Sequence, residues 1–275
     1  MNDLTVREIF SLNKTDGLVG VEIEVESNNG VYRGFPPTSP QITTPLSMWR
    51  AEVDNSLRGN SVEYVLRKPL DTGQAIEAVE HLRKAFKEQG TQVDDSFRAG
   101  VHIHLNFQEK TFQQLVLFSC LYYSLEEVLT EWCGSDRVGN HFCLRAIDAP
   151  GSVYEISKSI KSKSFMNFHN DEYRYAALNF TSLPKYGSLE FRAMSTKPDL
   201  KDVDKWIRVL SYLMEQSLKI NDTYTVLEQF SMVDYDNWLR QHLPHIYDEI
   251  KDQKDLKMKG LRGIRLAQDF ILEQI

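Results

Sequence analysis

Four short stretches of this 275-residue chain hold the side chains that bind divalent cations and phosphate. They are Glu22-Ile23-Glu24, the single Glu63, His102-Ile103-His104 and Glu190-Phe191-Arg192. In three of them the reactive residues stand at i and i+2. On a β-strand such residues share one side, with Cα atoms roughly 6.5–7 Å apart. Carboxylates offer the hard oxygen ligands that suit Mg²⁺ or Mn²⁺, and Mn²⁺ also accepts an imidazole. The guanidinium of Arg192, two residues from Glu190, matches phosphate geometry. Each stretch alone has a plainer reading: a solvated strand face, a cross-strand histidine pair, or a cross-strand ion pair. Together they are too uniform in chemistry for that. Three or four carboxylates facing one another repel unless a cation lies between them. The set points to a metal-dependent nucleotide or phosphate site on a sheet face.

Such a site needs strands to hold it. Leu18 to Glu26 alternates Val19, Val21, Ile23 and Val25 with Gly20, Glu22, Glu24 and Glu26, a half-buried strand. Met48 to Val53 and Ser61 to Arg67 read as a hairpin across Asp54-Asn55-Ser56 and Gly59-Asn60. In its second strand Val62, Tyr64 and Leu66 oppose Ser61, Glu63 and Arg67. Val101 to Phe107 puts Val101, Ile103, Leu105 and Phe107 against His102, His104 and Asn106. Tyr175 to Phe180 and Ser188 to Met194 form two more strands, turned at Pro184 to Gly187. In the last, Leu189, Phe191 and Ala193 oppose Ser188, Glu190 and Arg192.

Between the strands, Asp71 or Thr72 caps a helix from Gln74 to Gln89. Its apolar line is Ile76, Val79, Leu82 and Phe86, and Gly90 stops it. Thr111 caps one long helix that runs to near Gly134. Residues 28–45 hold Pro36, Pro37, Pro40 and Pro45 and read as a loop. Residues 135–172 read as irregular and polar, with Lys158, Lys161 and Lys163 in a Ser-rich stretch. From Asp202 the pattern is helical, with Ile207, Leu210, Met214 and Leu218 on one face and a last helix over Leu261 to Ile275. The fold class is therefore α+β: a mostly antiparallel sheet of about six strands with helices on one face and a polar, concave face left for the site. We read residues 1–275 as one catalytic domain, with the sheet core at 18–200 and a helical part at 201–275.

Composition limits the partners. Acidic residues outnumber basic ones 39 to 32, for a net charge of −7. General nucleic-acid binding, which needs a basic surface, has no support. Three cysteines without C-x-x-C suit a reducing compartment. There is no signal-like start and no apolar run of membrane-spanning length, so a cytoplasmic location is expected.

The ordered stretches resemble the glutamate–cysteine ligase-like enzymes and, within them, the amidoligases. Gly20-Val21-Glu22-Ile23-Glu24 is similar to their Gly-x-Glu-x-Glu opening. Asp54-Asn55-Ser56-Leu57, then Glu63-Tyr64-Val65 and Pro69, resembles their Asp-Gly-Ser…Glu…Pro block. Gly100-Val101-His102-Ile103-His104 is similar to their Gly-x-His-x-His block, shared with glutamine synthetases. Tyr173-Arg174-Tyr175, Asn179 and Leu189-Glu190-Phe191-Arg192 resemble the closing Arg-Tyr…Asn…Glu-Phe-Arg block. Asn55 replaces the Gly of the second block, and Asp54 is left without a role.

The resemblance implies a glutamine-synthetase-like sheet and an ATP-dependent carboxylate–amine ligase, with Mg²⁺ or Mn²⁺ held by Glu22, Glu24, Glu63, Glu190 and His102. It implies nucleotide or phosphate contacts from His102, His104, Arg174 and Arg192, the two arginines acting on the phosphoryl group. Its substrates would be a small-molecule or peptide carboxylate and an amine, joined through an acyl phosphate. Glu26, on the same strand face, is a candidate for the base that deprotonates the amine, beside any group at a solvent-facing strand end. Arg137, Asn140 and Arg145 are read as either a lid or a solvated loop, and Trp132 and Trp206 as core. The competing readings are a metal-dependent hydrolase or phosphotransferase on the same face, and an inactive scaffold.

Overall fold

The strand of alternating valines and glutamates is the centre of the molecule. In the computed structural model, which describes residues 4–35, 45–162, 164, 168–232 and 234–272, it runs from Val19 to Ser27 (β1). Val19, Val21, Ile23 and Val25 are all sealed in the core. Their β-branched side chains fill one pleat of the sheet and drive the glutamates to the other. The remaining strands are β2 (Trp49–Glu52), β3 (Asn60–Leu66), β4 (Gly100–Asn106), β5 (Leu178–Asn179) and β6 (Ser188–Ser195). All pairings are antiparallel, in the order β2-β3-β1-β4-β6-β5. The hairpin between β2 and β3 is closed by an Asx turn, with the Ser56 N–H donating to Asp54 Oδ1 at 2.7 Å.

Register decides which side chains meet. Glu24 lies opposite Glu63, Glu22 opposite His102, and His104 opposite Glu190, while Asn179 also pairs with Glu190. Directly paired residues share a face, so one face gathers the carboxylates and imidazoles. The β4–β6 pairing slips between Val101 and Ile103: Val101 pairs with Met194 but Ile103 with Phe191. Ala193 and Arg192 therefore both stand opposite His102, a β-bulge. The simple alternation expected for this strand fails here, and Met194 takes the next core position with no exposure.

Eleven α-helices are formed by the described residues, and several of them cover the apolar face of the sheet. These are α1 (Val6–Phe10), α2 (Thr72–Gln89), α3 (Phe112–Tyr123), α4 (Glu126–Cys133), α5 (Pro150–Ser162), α6 (Leu183–Tyr186), α7 (Val203–Ser217), α8 (Thr223–Met232), α9 (Tyr235–His242), α10 (Tyr247–Ile250) and α11 (Leu256–Leu272). Asp71 caps α2 by accepting from the Gln74 N–H at 2.8 Å, and Gly90 ends it in the left-handed region at φ +68. Trp49 Nε1 donates to the Ala78 carbonyl, tying the edge strand to α2. Helix α7 packs against α2 and β4 through Ile207, Leu210 and Met214, while Leu218, at its end, is partly exposed. Phe118 meets Phe107 and Phe191 edge-on, and Trp206 is fully buried beside Phe191. Trp132 is half-buried against Trp206 and donates to Glu249.

Five expectations are corrected. The helix after Thr111 is two helices, α3 and α4, broken at Ser124–Leu125. There the Ser124 carbonyl accepts from the Tyr235 hydroxyl, its Oγ accepts from Trp238 Nε1, and the backbone of Gly263 lies close behind. Later helices thus supply the partners that let this one end. Residues 135–172 are not simply irregular. Helix α5 buries Val153, Ile156 and Ile160 against α11, and Ser157 Oγ donates to the Phe270 carbonyl. Lys158 and Lys161 lie on its exposed side; Lys163 lies outside the described residues. The strand expected over Tyr175 to Phe180 is only Leu178–Asn179, because Asp171–Tyr175 forms a 3₁₀ turn capped by Asn170. The turn before β6 is the short helix α6. The last helix begins at Leu256, not Leu261. Of the proline-rich loop, residues 36–44 lie outside the described residues. No helix among the described residues is long and apolar enough to cross a membrane.

Candidate active site

The polar face of the sheet carries the predicted residues as neighbours. Glu22 on β1 lies between both histidines of β4: 3.5 Å from His102 Nδ1 and 3.4 Å from His104 Nε2. His102 also faces Glu24 at 3.7 Å and Glu190 at 3.6 Å. Arg192 pairs with Glu190 and lies 3.4 Å from His102 Nδ1. Glu22, Glu24, Glu63, His102, His104, Glu190 and Arg192 are therefore one cluster.

Their orientation is fixed by hydrogen bonds from the surrounding elements. The Gly100 N–H donates to Glu24 at 2.7 Å. Asn179 Nδ2 and Ser182 Oγ donate to the same oxygen of Glu190, at 2.7 and 3.2 Å. Ser188 Oγ lies 3.2 Å from His104 Nδ1. Arg192 is held at both ends: its Nε points to the Phe142 carbonyl, and its own carbonyl accepts from Arg137 Nη2 at 2.9 Å. Hydrogen bonds of this kind, made to the ligand side chains from behind, set ligand direction.

Charge in the cluster is unevenly balanced. Burial pushes the Glu22 carboxyl up, but His104 and His102 outweigh it and hold it well below the usual range. Burial lowers His104, yet Glu22 prevails and raises it. Glu190 is likewise held down, since Arg192 and the two imidazoles overcome its desolvation. Glu63 has no such help. Burial, then Glu22, Glu24, Asp54 and Glu52, push it up to about 8, and it makes no ion pair among the described residues.

This is the donor set a hard cation would satisfy. Three groups each bring ligand atoms within 4.8 Å of one another: Glu22, His104 and Glu190; Glu22, Glu63 and His102; and Glu24, Asp54 and Glu63. Glu22 and Glu63 each belong to two groups, so the sites would share ligands. Oxygen-dominated sets with one imidazole suit Mg²⁺ or Mn²⁺. The residues present fit these ions, and the carboxylate crowding that raises Glu63 is what a cation would relieve.

Sequence reasoning left four contributors unassigned. Asp54 completes the third group. Asn179 and Ser182 orient Glu190; Asn179 lies in the closing block, which is the signal that marks it. Arg137, read as part of a lid or a solvated loop, is neither. It is fully buried and donates to the Arg192 and Phe97 carbonyls. Asn140 donates to the Phe97 carbonyl at 2.7 Å, and Arg145 pairs with Asp148. Glu26 stands apart from the donor groups and accepts from the Arg58 N–H. Arg174 is exposed and stacks on Tyr175, with its guanidinium carbon 4.8 Å from the ring centroid. It contacts no carboxylate of the cluster, but it lines the same cavity as Glu22, Glu190 and Arg192.

Two cavities open on this face. One, of about 570 Å³, lies toward β5 and β6 and is lined by Arg174, Arg192, His169 and Glu190. The other, of about 460 Å³, lies toward β2 and β3 and is lined by Arg50, Arg67, Lys68, Asn106 and Gln108. The three cysteines are buried and form no disulfide, and Cys143 Sγ donates to the Arg137 carbonyl. Burial raises all three thiols, which suits packing rather than catalysis.

No curated protein and no solved structure matches the chain. A family model described as "Putative amidoligase enzyme" matches residues 46–214. That stretch carries Asp54, Glu63, His102, His104, Arg174, Glu190 and Arg192, while Glu22 and Glu24 on β1 precede it. With more than half of its length matched, and with the later motif blocks falling inside the match, the chain belongs to this amidoligase family.

Proposed function

We propose that this protein is an ATP-dependent carboxylate–amine ligase that works through an acyl phosphate, with Glu22, Glu24, Glu63, Glu190 and His102 as metal ligands. The observation that carries the reading is the joining of three shared-ligand donor groups to an arginine on one face, with a cavity on either side. A carboxylate oxygen attacks the γ-phosphorus of ATP, the bond to ADP breaks, and ADP leaves with the electron pair. A neutral amine then attacks the acyl carbon, the bond from that carbon to the phosphate oxygen breaks with its electron pair going to phosphate, and the nitrogen gives up one proton to solvent as the amide forms. Bound Mg²⁺ or Mn²⁺ would neutralise charge on the nucleotide oxygens. No protein nucleophile is needed, so the chain's work is positioning and charge stabilisation. Arg192, fixed by Glu190, Phe142 and Arg137, is preorganised to meet the phosphoryl oxygens. Arg174, exposed on the rim, would take the outer part of the same anion. His102 and His104 keep Glu22 ionised and are the nucleotide-side imidazoles.

The test is an incubation with ATP, Mg²⁺ and pools of carboxylates and amines, followed by mass spectrometry for ADP and new amides. ADP and an amide should appear together and require both pools. ADP that forms without a carboxylate, or is insensitive to Glu24→Ala, would favour the hydrolase or phosphotransferase reading.

A further inference from the structure

The two cavities touch. Glu22, His104, Lys185 and Tyr186 line both, and Lys185 carries the only fixed cationic side chain of the four. Two reactants held one to a cavity would meet at this junction. Whatever anion passes between them passes Lys185.

The fold holds the base of this lysine rigidly. It lies on α6, just after Ser182 and just before β6. The Gly187 N–H closes the turn onto the Leu183 carbonyl, and Gly187 sits at φ +71. A Cβ there would lie 2.4 Å from Gln108 Cγ, so the turn is pressed against the end of β4. Gln108 Nε2 donates to the Tyr186 carbonyl, and the Phe107 N–H donates to the Gly187 carbonyl. Tyr186 stands edge-on to His104 at 6.1 Å.

Among the described residues, the head of Lys185 meets only its neighbour Tyr186. It is exposed, lies 4.6 Å from the Tyr186 ring centroid, and has no carboxylate within ion-pair distance among the described residues. Arg192 is already engaged by Glu190. A rigid stem whose ammonium is paired with no carboxylate suits a cation that follows a moving anion rather than one that holds a resting one.

We propose that Lys185 contacts the phosphoryl group in transit between the two cavities, stabilising it more than the bound nucleotide at rest. This rests on the ligase reading above. As the carboxylate oxygen bonds to phosphorus and the bond to ADP breaks, charge gathers on the equatorial phosphoryl oxygens, and the ammonium donates to them there. A group that acts only at that stage changes the rate and leaves ground-state binding alone.

The experiment compares binding of Mg²⁺–ADP by calorimetry with and without aluminium fluoride, which mimics the phosphoryl in flight. Wild type, Lys185→Met and Lys185→Arg are used, with melting curves to confirm folding. In wild type, fluoride should tighten ADP. Lys185→Met should keep the affinity for Mg²⁺–ADP and lose on the order of 100-fold in the fluoride complex, and Lys185→Arg should recover most of that loss. Undiminished tightening in Lys185→Met overturns the role of Lys185 and leaves the ligase reading standing. Equal loss with and without fluoride makes Lys185 a resting nucleotide contact and also overturns it. No ADP binding by wild type removes the ligase reading and this inference with it.

Discussion

Glu63 is the residue on which the metal reading can be tested most directly. Its carboxyl, pushed up to about 8, is largely protonated at pH 7 in the metal-free protein, whereas a ligating carboxylate is ionised. Adding Mn²⁺ at pH 7 should therefore release protons, seen as calorimetric heats that vary with buffer ionisation enthalpy. Glu63→Gln should remove that residue's share; an unchanged release would place the proton elsewhere. Asn179 offers a second test. It lines the cavity beside β5 and β6 and anchors Glu190, so Asn179→Ala should weaken Mn²⁺ binding roughly 10- to 100-fold with the fold intact. Equal affinity in the variant would mean Glu190 needs no such support. The residue types at these positions were readable in the sequence. The directions in which Asn179, Ser182 and Arg137 point were not, since a polar residue in a loop carries no periodic signal.

At the scale of elements, alternation found the strands because each has one buried face. Helix α2 was equally legible, since its cap, its apolar line and its stop agree. Asp71→Ala should cost about 1 kcal/mol of stability by denaturant unfolding. The break between α3 and α4 was hidden, because residues 112–133 are apolar enough to read as one helix. What ends α3 is the approach of α9 and α11 from more than a hundred residues later. A Cβ on Gly263 would lie 2.7 Å from the Ser124 carbonyl oxygen, a backbone atom that cannot easily give. Gly263→Ala should therefore destabilise by about 1–3 kcal/mol; an unshifted urea midpoint would show that the two segments can part freely. Helix α5 was missed because its Ser and Gly content lowers local propensity, and packing on α11 overrides it. The bulge at Ala193–Arg192 was invisible for another reason. Register slips belong to a pair of strands, and one strand's alternation does not record its partner.

For the whole molecule, stability and metal loading are coupled through pH. Glu63 and the fully buried Glu126 are both raised to about 8, Glu126 chiefly by burial. A carboxyl with its folded pKa above the unfolded value stabilises fully below the unfolded value, and that contribution is lost as pH rises through about 8. The metal-free protein should thus melt at progressively lower temperature from about pH 5 to pH 8. Mn²⁺ should offset the Glu63 part only, so the gap between loaded and metal-free melting temperatures should widen with pH. A constant gap would separate Glu63 from the metal. The sequence by itself determined the residue types, the two-sided strands, the α+β class and the order of blocks that matches the amidoligase family. Those features are local, written in spacings of two residues and in caps. Only the tertiary structure decided that Glu24 faces Glu63 and His104 faces Glu190, that Asp54 and Asn179 join them, and that two cavities meet at Lys185. These depend on register, on a bulge and on helices distant in the chain, and such contacts arise only when the apolar faces have packed.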